Sequence, residues 1–103
     1  MNEVNVAATI LEQLGGGKFI AMTGAKNLLS TANSLQFRLP GGGGFCKRGV
    51  NFVKVTLDYD DTYSMEFGKV RGMNYTVLAE HSGIYNDMLQ DLFTVETGLE
   101  THL

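Results

Sequence analysis

From residue 53 to residue 79 the apolar side chains fall on every second position, and soon afterwards they fall on every third or fourth. Val53, Val55 and Leu57 alternate with Phe52, Lys54, Thr56 and Asp58; Tyr63, Met65 and Phe67 alternate with Thr62, Ser64 and Glu66. Successive side chains of a strand point to opposite faces, so each run presents one apolar face. Asp60 and Asp61 supply a turn between the runs. Arg71-Gly72-Met73-Asn74 supplies the next, and Tyr75, Val77 and Ala79 continue the alternation on the same core face. Strands joined by such short turns predict an antiparallel meander, and its apolar face must be covered.

The cover follows directly. Ile84, Tyr85, Met88, Leu89, Leu92 and Phe93 form a helical stripe, with Asp87, Gln90 and Asp91 on the other side. Ser82 is the expected N-cap, which places Glu80 and His81 at a strand end beside a helix N-terminus. Asp87 then lies where the helix dipole favours a carboxylate, and Thr97-Gly98 ends the helix. The change of period around His81-Ser82-Gly83 is the sharpest boundary in the chain.

The first half is less regular. Val6, Ala7, Ile10, Leu11 and Leu14 predict a helix over residues 4–14, stopped by Gly15, Gly16 and Gly17. Residues 18–24 are a short apolar run between glycines, a buried strand or a second helical turn that periodicity does not separate, with the strand favoured. Leu35, Phe37 and Leu39 alternate with Gln36 and Arg38 in a strand ended by Pro40, with a hairpin turn near Ala32 and Asn33. Residues 41–44 are all glycine and open a loop that runs through Phe45-Cys46-Lys47-Arg48-Gly49. No internal repeat is evident. The expectation is one α+β domain over residues 1–103. It has an N-terminal helix, an antiparallel sheet of four to five strands ending in the meander, and a C-terminal amphipathic helix packed on one face.

A chain of 103 residues with 44% hydrophobic content buries one modest core, so function is expected on a surface or between subunits. Cys46 is the single cysteine, which precludes an internal disulfide. The N-terminus lacks the basic and apolar regions of a signal peptide. No apolar run approaches the roughly 18 residues of a spanning helix. A cytoplasmic protein without membrane attachment is expected. The net charge of −3 is unevenly spread. All eight Lys and Arg lie between Lys18 and Arg71, opposed there by Asp58, Asp60, Asp61 and Glu66. The flanks carry Glu3, Glu12, Glu80, Asp87, Asp91, Glu96 and Glu100 and no Lys or Arg. Such asymmetry orients partners in its field.

No motif fixes a chemistry. Gly15-Gly16-Gly17-Lys18 lacks the Ser or Thr of a phosphate-binding loop and follows a helix instead of a strand. The glycines at 41–44 with Lys47 and Arg48 would cradle an anion only weakly. Asp58, Asp60 and Asp61 begin like a calcium loop, but Tyr63 replaces its glycine and Lys69 its closing Glu. Cys46 and His81 lack an orienting third group, and zinc ligands are too few. No catalytic set, metal or cofactor is expected. Lys54, Lys69 and Arg71 interleave with Tyr59, Tyr63 and Tyr75 as in sheets that stack bases.

Taken together, several runs resemble a family of small uncharacterised proteins encoded by bacteriophages, prophages and related mobile elements. They are Leu14-Gly15-Gly16, Phe19-Ile20-Ala21-Met22-Thr23-Gly24-Ala25-Lys26-Asn27, Asn33-Ser34-Leu35 with Phe37, and Val53-Lys54-Val55-Thr56-Leu57. The second half adds Tyr63, Glu66-Phe67, Val70-Arg71-Gly72, Ala79-Glu80-His81 with Gly83 and Tyr85, and Thr97-Gly98-Leu99. The loop at 41–49 is longer and richer in glycine than the family pattern. The resemblance implies a mobile-element origin and the bacterial cytoplasm, but no activity. It draws attention to Met22-Thr23-Gly24-Ala25-Lys26 and to Ala79-Glu80-His81.

The leading expectation is a non-enzymatic accessory protein that binds a macromolecule, a protein ahead of nucleic acid, with an inhibitor of host defence machinery as a specific form. Single-stranded nucleic-acid binding through the sheet is the second, and a small enzyme or ligand-binding subunit using Glu80 and His81 the third. Homo-oligomerisation is compatible with each. The candidate binding residues are Lys26, Lys47, Arg48, Lys54, Lys69, Arg71, Glu80 and His81.

Overall fold

Val6–Leu14 forms the first helix, α1, and buries Ala7, Ile10 and Leu14 along one stripe. In this computed structural model, residues 6–39 and 49–99 are described. The glycines at 41–44, Lys47 and Arg48 lie outside the described residues.

Gly15 interrupts the helix at a φ of 129°, a value that favours glycine, while its N–H still bonds the carbonyls of Leu11 and Glu12. The chain then resumes as α2, Gly16–Thr23. The strand expected over residues 18–24 is therefore a helix. Phe19 and Thr23, four residues apart, are the buried pair that defines its inner face. Thr23 Oγ1 donates to the Phe19 carbonyl and accepts the N–H of Ala25. Gly24, at a φ of 73°, then turns the chain out of the helix.

The same device recurs at the other end of the chain. In α3, Leu89–Thr97, Thr97 Oγ1 donates to the Phe93 carbonyl and accepts from the N–H of Leu99, and Gly98 is left-handed. The pattern Phe-x-x-x-Thr-Gly, at Phe19 and again at Phe93, is thus an internal repeat that was not expected. The two phenylalanines meet edge to face at 5.2 Å, and Phe19 also meets Phe37 at 5.4 Å.

Five strands form a simple antiparallel meander, in chain order across the sheet. They are β1, Lys26–Ser30; β2, Ser34–Arg38; β3, Phe52–Leu57; β4, Tyr63–Arg71; and β5, Asn74–Ile84. The hairpin at Ala32 and Asn33 and the turns at Asp60–Asp61 and Gly72–Met73 stand as expected. Register follows burial. Phe37, Val53, Phe67 and Ala79 lie opposite one another across β2 to β5, and so do Leu35, Val55, Met65 and His81. This face carries the core, and α1, α2 and α3 supply Ile10, Leu14, Phe19, Leu89 and Phe93 to it. The result is a two-layer α+β domain, helices on one side only.

Two irregularities in β5 change its expected reading. Between Phe67 and Gly68 the partner strand advances by one extra residue, Leu78. A one-residue bulge reverses which face each side chain takes. Val77 and Tyr75, expected in the core, are therefore on the outer face, 45% and 42% exposed. A second extra residue lies between Met65 and Tyr63, where Gly83 has a φ of 67°. It lets β5 continue to Ile84, which pairs with Tyr63 and is buried. Ser82 is thus a strand residue and caps no helix. The helical segment begins later, with a 3-10 turn at Asn86–Met88 that runs into α3. Ile84 and Leu89 are both buried, but Tyr85 and Met88 are exposed.

Candidate functional site

Alternation along the strands brings charged residues in rows onto the sheet face that no described helix covers. One row runs Lys26, Arg38, Phe52, Gly68, Val77, and the next runs Leu29, Gln36, Lys54, Glu66, Glu80. Cations occupy β1 to β3 and carboxylates occupy β4 and β5. Glu66 and Glu80 are directly opposed, an unfavourable like-charge pair. Around them lies an open concavity of about 430 Å³, lined in part by Lys54, Thr56, Ser64, Glu66 and Glu80.

Tyr75 stands over Gly68 on this face. Its phenol donates to Glu66 Oε2, and its ring meets Phe52 edge to face at 5.3 Å. Burial raises the phenol's pKa, and the Glu66 acceptor and the charges of Glu66 and Glu80 raise it further. Burial raises Tyr63 as well. A raised folded-state pKa means that the contribution to stability is fully present below the ordinary phenol value of 10.0 and is lost as pH climbs through the raised one. Unfolding free energy should therefore fall above pH 10.0 more steeply in the wild type than in Tyr75→Phe. Urea titrations at a series of alkaline pH values check this; parallel curves would contradict it.

Glu80 and His81 are adjacent in β5 and so take opposite faces. Glu80 is exposed on the outer face, whereas His81 turns toward α3. There His81 Nε2 lies 2.9 Å from Glu96 Oε2, and its ring meets Phe67 edge to face at 6.3 Å. A carboxylate only accepts, so the ring nitrogen supplies the proton. Both Glu80 and His81 line the concavity described above, but their side chains take opposite faces, and the side-chain pairing formed is His81 with Glu96.

Beside this clasp a groove of about 380 Å³ lies between β5 and α3. His81, Ser82, Gly83 and Ile84 line it from the strand, and Met88, Asp91, Leu92 and Val95 from the helical side. Met88 and Val95 are 49% and 59% exposed and place apolar surface in this depression. Asp91 lines it with His81, Glu96 bonds His81, and no Lys or Arg follows Arg71 in the chain.

The predicted basic residues do not gather into one patch. Lys26 and Lys54 lie on the outer face, whereas Lys69 has the parity of Phe67 and Arg71 is exposed at the end of β4. Lys47 and Arg48 lie outside the described residues. Arg38, Phe52, Met88, Val95 and Glu96 were not singled out from sequence. Arg38 was legible as the polar partner of Leu35 and Phe37; Glu96 was not, since its partner is fifteen residues away. Among the described residues no three His, Cys, Asp or Glu side chains cluster as metal ligands, and no helix is long and apolar enough to cross a membrane. No protein family, curated protein or solved structure matches the chain.

Proposed function

We propose that the chain is a non-enzymatic binding protein whose partner is another protein. The partner lays a segment of apolar side chains flanked by Lys or Arg into the groove between β5 and α3. The observation that supports this most is the pairing of exposed Met88 and Val95 with Asp91 in the groove, in a segment whose Asp and Glu are opposed by no Lys or Arg after Arg71. Apolar contact supplies affinity, and the acidic segment selects charge and speeds encounter. Proteins that handle nucleic acid present Lys- and Arg-rich surfaces. An inhibitor of a host defence nuclease is therefore the specific form of this reading, in keeping with a mobile-element origin.

Selection from a random peptide library displayed against the full chain tests it. Enriched sequences should carry aliphatic or aromatic residues next to Lys or Arg, and Val95→Asp should weaken their binding at least tenfold. Enrichment of acidic sequences, or binding indifferent to Val95→Asp, would sink the proposal. The nucleic-acid reading is weaker, because Glu66 and Glu80 share the face of Lys54, Phe52 and Tyr75 and would repel phosphates. The reading through a Glu80 and His81 site keeps a shared concavity in its favour, but His81 is engaged by Glu96 and its side chain faces away from Glu80.

A further inference from the structure

We infer that the sheet face opposite the described helices pairs with the same face of a second copy of this chain, about a twofold axis parallel to the strands and between β3 and β4. The inference concerns the surface opposite the helices and is independent of the groove. Three observations support it.

The first is the charge order. Lys26, Arg38 and Lys54 lie on the β1–β3 half of the face, and Glu66 and Glu80 lie on the β4–β5 half. A twofold parallel to the strands exchanges the halves, laying β3 on β4 and β2 on β5 of the other copy. Lys54 then lies over Glu66, and Gln36 and Arg38 lie over the β5 segment that holds Val77 and Glu80. A twofold perpendicular to the strands stacks cations on cations and carboxylates on carboxylates. Charge therefore selects one of the two face-to-face arrangements.

The second is the Glu66 and Glu80 pair. Two carboxylates opposed across adjacent strands repel, and within the chain Lys54 flanks only Glu66. The second copy brings a further Lys54 and Arg38 to that side of the sheet.

The third is apolar content at the axis. Phe52 and Tyr75 already touch, and Val77 adjoins them. The axis between β3 and β4 brings the two Phe52–Tyr75 pairs together beside the Lys54 and Glu66 pairs, so apolar contact and opposite charge adjoin at the axis. The overlap covers β2–β5, roughly 19 Å wide with strands about 4.8 Å apart, and β3 is roughly 20 Å long. That projects to roughly 400 Å² per copy, in the range of weak, transient interfaces.

Charge reversal across the interface tests it, with the full chain studied by sedimentation equilibrium. Wild type should dimerise at high micromolar concentration, and Lys54→Glu or Glu66→Lys should each weaken the homodimer at least tenfold. An equimolar mixture of the two variants should recover a heterodimer, because both intermolecular pairs become opposite in charge again. Mixing does not repair the pairing of positions 54 and 66 within either chain, so recovery cannot reflect restored folding. A circular dichroism melt of each variant shows that it is folded. A monomeric wild type overturns the inference, and so does a dimer that survives both reversals or variants that fail to recover on mixing.

Discussion

Phe93→Ala is expected to lower the unfolding free energy by about 3–5 kcal/mol. Phe93 is fully buried, and its ring contacts Phe19 of α2 at 5.2 Å and Phe37 of β2 at 6.3 Å. Truncation removes the apolar area, leaves a cavity and deletes the ring contacts that fasten α3 to both the sheet and α2. A nine-residue helix does not persist in water without such packing. A domain of this size has a total stability of roughly 5–15 kcal/mol, so the variant should lie close to unfolding at room temperature. Urea denaturation followed by far-ultraviolet circular dichroism measures the change. Phe93→Leu, which retains most of the volume, should cost less than about 2 kcal/mol. Equal losses in the two variants would mean that ring packing is not what seats α3. Loss of α3 also removes one wall of the groove, so peptide binding should disappear in Phe93→Ala before the sheet melts.

The same cluster explains why residues 18–24 defeat a sequence reading. Six residues between Gly17 and Gly24 are too few for periodicity to separate strand from helix. What decides the matter is Thr23. Its hydroxyl bonds the Phe19 carbonyl four residues back and receives the N–H of Ala25, which stabilises the end of a helix and has no counterpart in a strand. Its repetition in Phe93, Thr97 and Gly98 was legible as a pattern, but a six-residue match acquires meaning only when both copies are seen to end helices. The meander was legible in β3 and β4 because each has a buried face and a short turn joins them. Val53, Val55, Tyr63, Met65 and Phe67 are all buried as alternation requires.

β5 marks where alternation stops being informative. Tyr75, Val77 and Ala79 have perfect two-residue spacing, yet the extra residue Leu78 places Ala79 on one face and the other two on the opposite one. A bulge is specified by the partner strand, so nothing within the segment announces it. Ile84 likewise fits a helical stripe with Leu89, Leu92 and Phe93, but pairing with Tyr63 holds it in the sheet. The candidate site inherits both effects. Glu80 and His81 were found as neighbours in sequence and belong to different faces. The acidic flank was legible as composition, and its placement beside Met88 and Val95 was not.

Gly68→Val should destabilise the protein by about 2–3 kcal/mol. Gly68 is buried in β4 beside the Leu78 bulge and is not among the positive-φ glycines, so its lack of a side chain serves space and not backbone freedom. Even a single Cβ there would collide with the ring and hydroxyl of Tyr75. The ring can swing aside only by leaving Phe52 and surrendering its bond to Glu66. Valine favours strands intrinsically, so a loss on introducing it isolates the steric term. The double variant Gly68→Val/Tyr75→Ala removes the obstacle. It should be less destabilised than the sum of the two single variants by at least about 1 kcal/mol, a coupling that a double-mutant cycle measures directly. Additive losses would show that Tyr75 does not occupy the space above Gly68. The face formed by that ring also lies at the proposed dimer axis, so Gly68→Val should weaken dimerisation even where it remains folded. Tyr75→Ala, which deletes the ring, should weaken dimerisation further while leaving Gly68 without a steric conflict.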